Sequence, residues 1–158
     1  MTERDHFYMN RAIEMAEKGM QENAGGPFGA VIVKNNQIIG EGYNSVTSTN
    51  DPTAHAEVLA IRNACRTLQS FQLEGCTIYT TCEPCPMCLG AIYWARPAKV
   101  VYACQRDDAA SANFDDKFIY DELSHPLNKR QILFKQLMRE EALVLFQKWQ
   151  EKSERTDY

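Results

Sequence analysis

Cys76-Thr77-Ile78-Tyr79-Thr80-Thr81-Cys82-Glu83-Pro84-Cys85-Pro86-Met87-Cys88-Leu89-Gly90-Ala91-Ile92-Tyr93-Trp94 is the stretch on which the fold turns. Cys76 to Thr81 has the composition of a buried strand, and Cys85 to Trp94 that of a short helix. Lys99 to Ala103 returns as a second strand. Upstream, Met9, Ile13, Ala16 and Met20 recur at helical spacing within a segment from about Glu3 to Gln21, which Gly25-Gly26-Pro27 ends. Phe28 to Val33 and Ile38 to Tyr43 read as a hairpin turned at Asn35-Asn36. A polar loop, Asn44 to Pro52, leads to a helix from about Ala54 to Leu68, with Thr53 or Asp51 as its cap and Val58, Ile61 and Cys65 on its inner face. Strands alternating with helices predict an α/β sheet with parallel members, covered by helices. Beyond Phe114 the pattern predicts a short helix, an edge strand over Ile132 to Met138, a helix over Glu140 to Glu154 and a free tail from Arg155 to Tyr158.

The chain has 158 residues, 44% of them apolar and 24% charged, with no repeat, low-complexity tract or linker. One globular domain over 1–158 is expected. No run is long and apolar enough to span a bilayer, and Met1-Thr2-Glu3-Arg4-Asp5 is not a signal peptide, so the expected compartment is the cytoplasm, with no membrane partner. The six cysteines are then expected as thiols, ligands or catalytic groups rather than disulfides. A net charge of −4 lacks the pull that nucleic-acid enzymes exert on phosphate, which favours a small-molecule substrate over a nucleic acid.

Two short strings carry the chemistry: His55-Ala56-Glu57, and Pro84-Cys85-Pro86-Met87-Cys88, each at an expected helix start. One helical turn puts the sulfurs of Cys85 and Cys88 on one side, and the positive end of the helix favours thiolates there. One imidazole and two thiolates make three protein ligands for a single Zn²⁺, and the fourth position left for water is the arrangement of a catalytic site. Glu57 is surplus to the ligand count and suits proton transfer beside that water. A Cys-x-x-Cys redox pair is the competing reading, but it leaves His55 and Glu57 without a role. A closed structural site would need Cys82 as fourth ligand; a small buried thiol is the preferred reading for that residue. Cys65, Cys76 and Cys104 read as structural.

His-x-Glu followed by Pro-Cys-x-x-Cys is the pattern of zinc deaminases acting on bases. With Gly25-Gly26-Pro27-Phe28-Gly29-Ala30, Asn50 through Glu57, Glu83 through Arg96, Phe114-Asp115-Asp116 and the terminal Tyr158, the chain resembles the bacterial guanine deaminases of the cytidine deaminase-like superfamily. The likeness covers nearly the whole chain and is weakest between about Leu123 and Glu154. It implies a three-layer α/β/α fold around a central mixed five-stranded sheet, and hydrolysis of guanine to xanthine and ammonia in purine catabolism. Glu57 would protonate a ring nitrogen, deprotonate the attacking water and deliver a proton to the departing amine. Asn44 would bind the purine edge, though it also suits a turn. Phe28 and Trp94 would wall the base, though aromatics in such segments are commonly core. Asp116 would contact the substrate amino group and help carry protons, unless it or Asp115 simply caps a helix. The same resemblance implies a homodimer whose C-terminal segments, about 139–158, are exchanged, so that Tyr158 closes the partner's site.

The nearest rival reading is a tRNA adenosine deaminase. Its basic surface is not evident, because the segment from Arg139 mixes Lys148, Lys152 and Arg155 with Glu140, Glu141, Glu151, Glu154 and Asp157. Cytosine or nucleoside deamination is a second rival, and a zinc-stabilised interaction domain is the non-enzymatic one.

Overall fold

The computed structural model describes residues 1–114 and 116–158, which form two compact units, Met1–Lys117 and Phe118–Tyr158. The first opens with α1, Glu3–Gln21, followed by the hairpin β1, Gly29–Lys34, and β2, Gln37–Tyr43. Asn35 and Asn36 both sit at positive φ, 50° and 63°, which is the two-residue turn whose twist matches that of the flanking strands. After a single helical turn, α2 at Val46–Thr49, come α3 (Ala56–Leu68), β3 (Thr77–Cys82), α4 (Pro86–Ala95), β4 (Lys99–Cys104) and α5 (Arg106–Ser111).

The strands run in the order β2-β1-β3-β4, with β1 antiparallel to both neighbours and β3 parallel to β4. The mixed sheet is thus as expected, but it has four strands among the described residues rather than five. Alternation along the strands divides the core in two. Ala30, Ile32 and Ile78 face α3 and α4 with Ala56, Ala60, Ala64, Ile92 and Ala95. Val31, Val33, Tyr79 and Val101 face α1 with Tyr8, Ala12 and Met15. Helices therefore cover both faces, making three layers.

Two contacts fix how the helices lie on the sheet. Asp5 closes a capping box with Thr2 at the start of α1, and its other carboxylate oxygen accepts from the Tyr79 hydroxyl of β3 at 2.7 Å. On the opposite face α3 lies directly on β2. A Cβ built on Gly42 would stand 2.4 Å from the Ala56 carbonyl oxygen, and one on Gly40 2.5 Å from that of Ala60. Only glycine admits so close an approach.

The second unit holds α6, Lys117–Ser124, which begins at the junction, a 3₁₀ turn at Leu127–Lys129 and α7, Arg139–Glu151. None of the residues from Phe118 to Tyr158 is buried. The edge strand expected over Ile132 to Met138 is absent: this segment is irregular. No strand lies in this unit to pair with it, three apolar residues run together at Ile132-Leu133-Phe134 rather than alternating, and the Phe134 ring lies beneath the Arg130 guanidinium at 5.4 Å. No helix of the described residues is long and apolar enough to cross a membrane.

Candidate metal centre

His55 and Cys85 occupy equivalent places: each is the N-cap of a helix, α3 and α4, and each has extended backbone. The two helix starts converge at the ends of the strands that precede or flank them, so their positive poles face a common point. For α3 this corrects the sequence reading. Neither Thr53 nor Asp51 caps the helix; Asp51 instead accepts from both the amide and the hydroxyl of Thr53, at 2.8 and 2.7 Å, forming the turn that delivers His55. For α4, Pro86 opens the first turn and the Cys85 sulfur accepts from the Cys88 amide at 3.5 Å.

His55 Nδ1 lies 3.6 Å from Cys85 Sγ and 3.5 Å from Cys88 Sγ, and the three ligand atoms all fall within 4.8 Å of one another. Tetrahedral zinc with ordinary Zn–S and Zn–N bonds sets sulfur and nitrogen about 3.6 Å apart. The residues present therefore fit a zinc ion bound through Nδ1. The Cys85 thiol, hydrogen-bonded to Cys88 and to His55, is held at about 4, while the same Cys88–Cys85 bond and burial push the Cys88 thiol up. Ligation requires both sulfurs as thiolates.

Glu57 is buried on the first turn of α3, and burial raises its carboxyl above the usual carboxylate range. Its Oε2 stands 3.5 Å from Cys88 Sγ, at the rim of the ligand set. Cys82 is not a fourth ligand. Its thiol donates to the Gln105 carbonyl at 3.6 Å, and burial pushes it up to about 11. The group of ligand atoms lying within 4.8 Å of one another comprises His55, Cys85 and Cys88 without it. Cys65, Cys76 and Cys104 are free thiols.

The remaining predicted residues fall at different distances from this centre. Asp116 is half-buried and near enough for its charge to raise both His55 and Cys82. Asp115 lies outside the described residues. Asn44 is buried at the end of β2; its backbone amide donates to the Phe28 carbonyl at 2.9 Å, and the next backbone amide, Ser45, donates to the Ala54 carbonyl beside His55 at 2.9 Å. Phe28 is partly buried against the core. Trp94 is exposed near the end of α4, and Tyr158 is exposed at the end of the second unit. Two neighbours have no site role in the sequence reading. Phe114 stands edge-on to Phe28, with ring centroids 5.0 Å apart, and Val46 donates its amide to the Asn44 side-chain oxygen Oδ1 at 3.2 Å. A phenylalanine just before an acidic pair was the available signal for the first; the second depends on a turn that no spacing rule announces.

A histidine and two cysteines presented by converging helix starts, with a buried glutamate beside them, is the constellation of zinc hydrolases that act on bases. The chain belongs to the family described as the cytidine and deoxycytidylate deaminase zinc-binding region, whose model matches residues 2–104. Members bind zinc, and the His55, Cys85 and Cys88 set can hold one ion. The chain is 54% identical to a guanine deaminase of Bacillus subtilis over 96% of its own length and 97% of that protein's. A crystal structure of guanine deaminase from Bacillus subtilis superposes with a TM-score of 0.95 at 52% identity, covering 100% of this chain and 99% of the other. A tRNA-specific adenosine deaminase of Buchnera aphidicola is more distant, 37% identical over 88% of this chain and 89% of its own.

Proposed function

We propose that the protein hydrolyses guanine to xanthine and ammonia. The observation that carries this reading is the likeness to guanine deaminase, which extends without a gap in coverage through the second unit. The family model, by contrast, stops at residue 104. His55, Cys85 and Cys88 would hold the zinc ion, which when bound would supply the Lewis acidity that makes water nucleophilic near neutral pH. Glu57 takes a proton from the attacking water and protonates a ring nitrogen of the base. It then takes the second proton from the hydroxyl now on C2 and hands it to the amine, whose C–N bond breaks as the C2 carbonyl forms, so that water and guanine balance xanthine and ammonia. Its burial supports the role, because a carboxyl held above its usual range takes up and returns a proton more readily than an exposed one. Asp116 contacts the departing amino group and assists the proton traffic. Asn44 holds the purine edge, Phe28 and Trp94 flank the ring, and Tyr158 of a partner subunit closes over it.

That last role requires a homodimer with exchanged C-terminal segments. Its support is the second unit itself, in which Ile132, Leu133, Leu137, Leu145 and Phe146 are all at least two-thirds exposed. Apolar side chains in that number need cover. The cytoplasm and purine breakdown are the setting this activity implies.

The test offers guanine, adenine, cytosine, guanosine and an anticodon stem-loop to the zinc-loaded protein and follows ammonia. Xanthine from guanine is expected. Glu57→Gln should lower kcat by about 10²- to 10⁴-fold with zinc content unchanged. Deamination of the stem-loop with guanine left inert would hand the reading to the tRNA class instead.

A further inference from the structure

β3 and β4 both end on a cysteine. Cys82 and Cys104 are the last residues of their strands and are partners across the parallel ladder. Each lies four residues beyond a member of the Ile78–Val100 rung, which packs with α3 and α4, so alternation returns both side chains to that face. Neighbouring strands stand about 4.8 Å apart, within the Cα separation of about 4.4–6.8 Å that a disulfide spans. The Cys82 sulfur already reaches across the ladder, donating to the carbonyl of Gln105, the residue after Cys104, at 3.6 Å. Burial first, and then the charge of Cys104, push the Cys82 thiol up, so the two groups are near enough to feel one another. Both are free thiols, Cys82 buried and Cys104 exposed, and neither belongs to the ligand set. Of the other thiols, Cys85 and Cys88 serve that set, while Cys65 and Cys76, though near one another, include no exposed member.

We propose that Cys82 and Cys104 form an oxidation site, which a hydroperoxide closes to a disulfide. The Cys104 sulfur, the accessible one, attacks the peroxide. An S–O bond forms as the O–O bond breaks, leaving a sulfenic acid and one water. The Cys82 sulfur then displaces that oxygen. The S–O bond breaks, the S–S bond forms, and the oxygen leaves with the Cys82 proton as a second water. Two thiols and one hydrogen peroxide thus give one disulfide and two waters, with the sulfurs oxidised and the peroxide oxygens reduced. Closing the bond draws Cys82 off the carbonyl of Gln105, which caps α5, and pulls on Glu83 and Pro84, which lead to Cys85. The joined state therefore displaces one side of the metal centre and slows turnover.

The experiment treats zinc-loaded protein with a small excess of hydrogen peroxide, alkylates it under denaturing conditions and maps the cysteines by mass spectrometry without reductant. Wild type should fall from six alkylated thiols to four, with Cys82 and Cys104 joined. Cys104→Ser, a change at an exposed position, should keep all its remaining thiols, and Cys82→Ala should strand Cys104 as a sulfenic acid that dimedone captures. A first link between Cys85 and Cys88 or between Cys65 and Cys76 overturns the proposal, as does a wild-type Cys104 oxidised while Cys82 stays a free thiol. A second measurement follows guanine turnover, which should fall about 10- to 100-fold on oxidation, return with dithiothreitol and be unchanged in peroxide-treated Cys104→Ser. Full turnover with the disulfide in place overturns its effect on the site. Only this second measurement rests on the proposed reaction. Protein inert towards guanine before treatment sinks that reading, and the mapping still decides whether the oxidation site exists.

Discussion

Asp5 shows how a surface carboxylate can matter to the fold. Its oxygens serve the Thr2 amide and the Tyr79 hydroxyl, and Lys99 stands 3.9 Å away. The backbone bond from Thr2, then the Tyr79 hydroxyl, hold its carboxyl well below the usual range. A carboxyl depressed in the folded state stabilises it above the ordinary carboxylate pKa of about 4, and that contribution is lost as pH falls towards the lowered value. Asp5→Asn should therefore lower the thermal midpoint at pH 7, and the gap from wild type should close on acidification through pH 4 and below. A gap that is constant with pH would mean the carboxylate's charge is irrelevant. At this same scale the metal ligands are readable from spacing alone, because His-x-Glu and Cys-x-x-Cys are local patterns with one chemical use in common. The orientation of the Asn44 amide is not, because Gly26 and Val46, which donate to its oxygen, meet it only through the hairpin and the α2 turn.

Among elements, α3 is the one that links packing to chemistry. It carries His55 at its cap and Glu57 on its first turn, and it lies on β2 at Gly40 and Gly42. A methyl at Gly42 must displace the backbone of α3, at a cost of about 1–3 kcal/mol. Gly42→Ala should consequently weaken zinc retention against a chelator as well as stability, whereas an equally destabilising change on α1 should leave zinc retention unaltered. Equal zinc retention in the two variants would uncouple β2 packing from the site. The hairpin, α1 and α4 are expected from sequence to within a residue or so, since turn chemistry, periodicity and proline act locally. The fifth strand fails for the complementary reason. A segment such as Ile132 to Met138 needs a neighbouring edge to become a strand, and sequence does not say whether one is at hand. Short α5 and α2 likewise have too few residues to show a period.

At the scale of the whole molecule, the proposed exchange makes each site the work of two chains. Removing Arg155 to Tyr158 should lower kcat/KM about tenfold or more while zinc content stays the same. Mixing that truncated protein with full-length Glu57→Gln, itself inert, should restore activity as hybrid dimers form, since one chain brings the glutamate and the other the tyrosine. Sedimentation at micromolar concentration should show a dimer throughout; a mixture that stays inactive would remove the exchanged tail from the site. The paired helix caps have a further consequence. His55 and Cys85 are 30 residues apart in sequence, so an ion held between them ties α3 to α4 and closes the loop that contains β3. Global unfolding must release that ion, and free zinc at a hundred times its dissociation constant adds about 2.7 kcal/mol to the equilibrium free energy of unfolding. Cells starved of zinc would then hold a chain that is not merely idle but open to proteolysis, and its lifetime, measured with protease and chelator together, would report the supply of the metal.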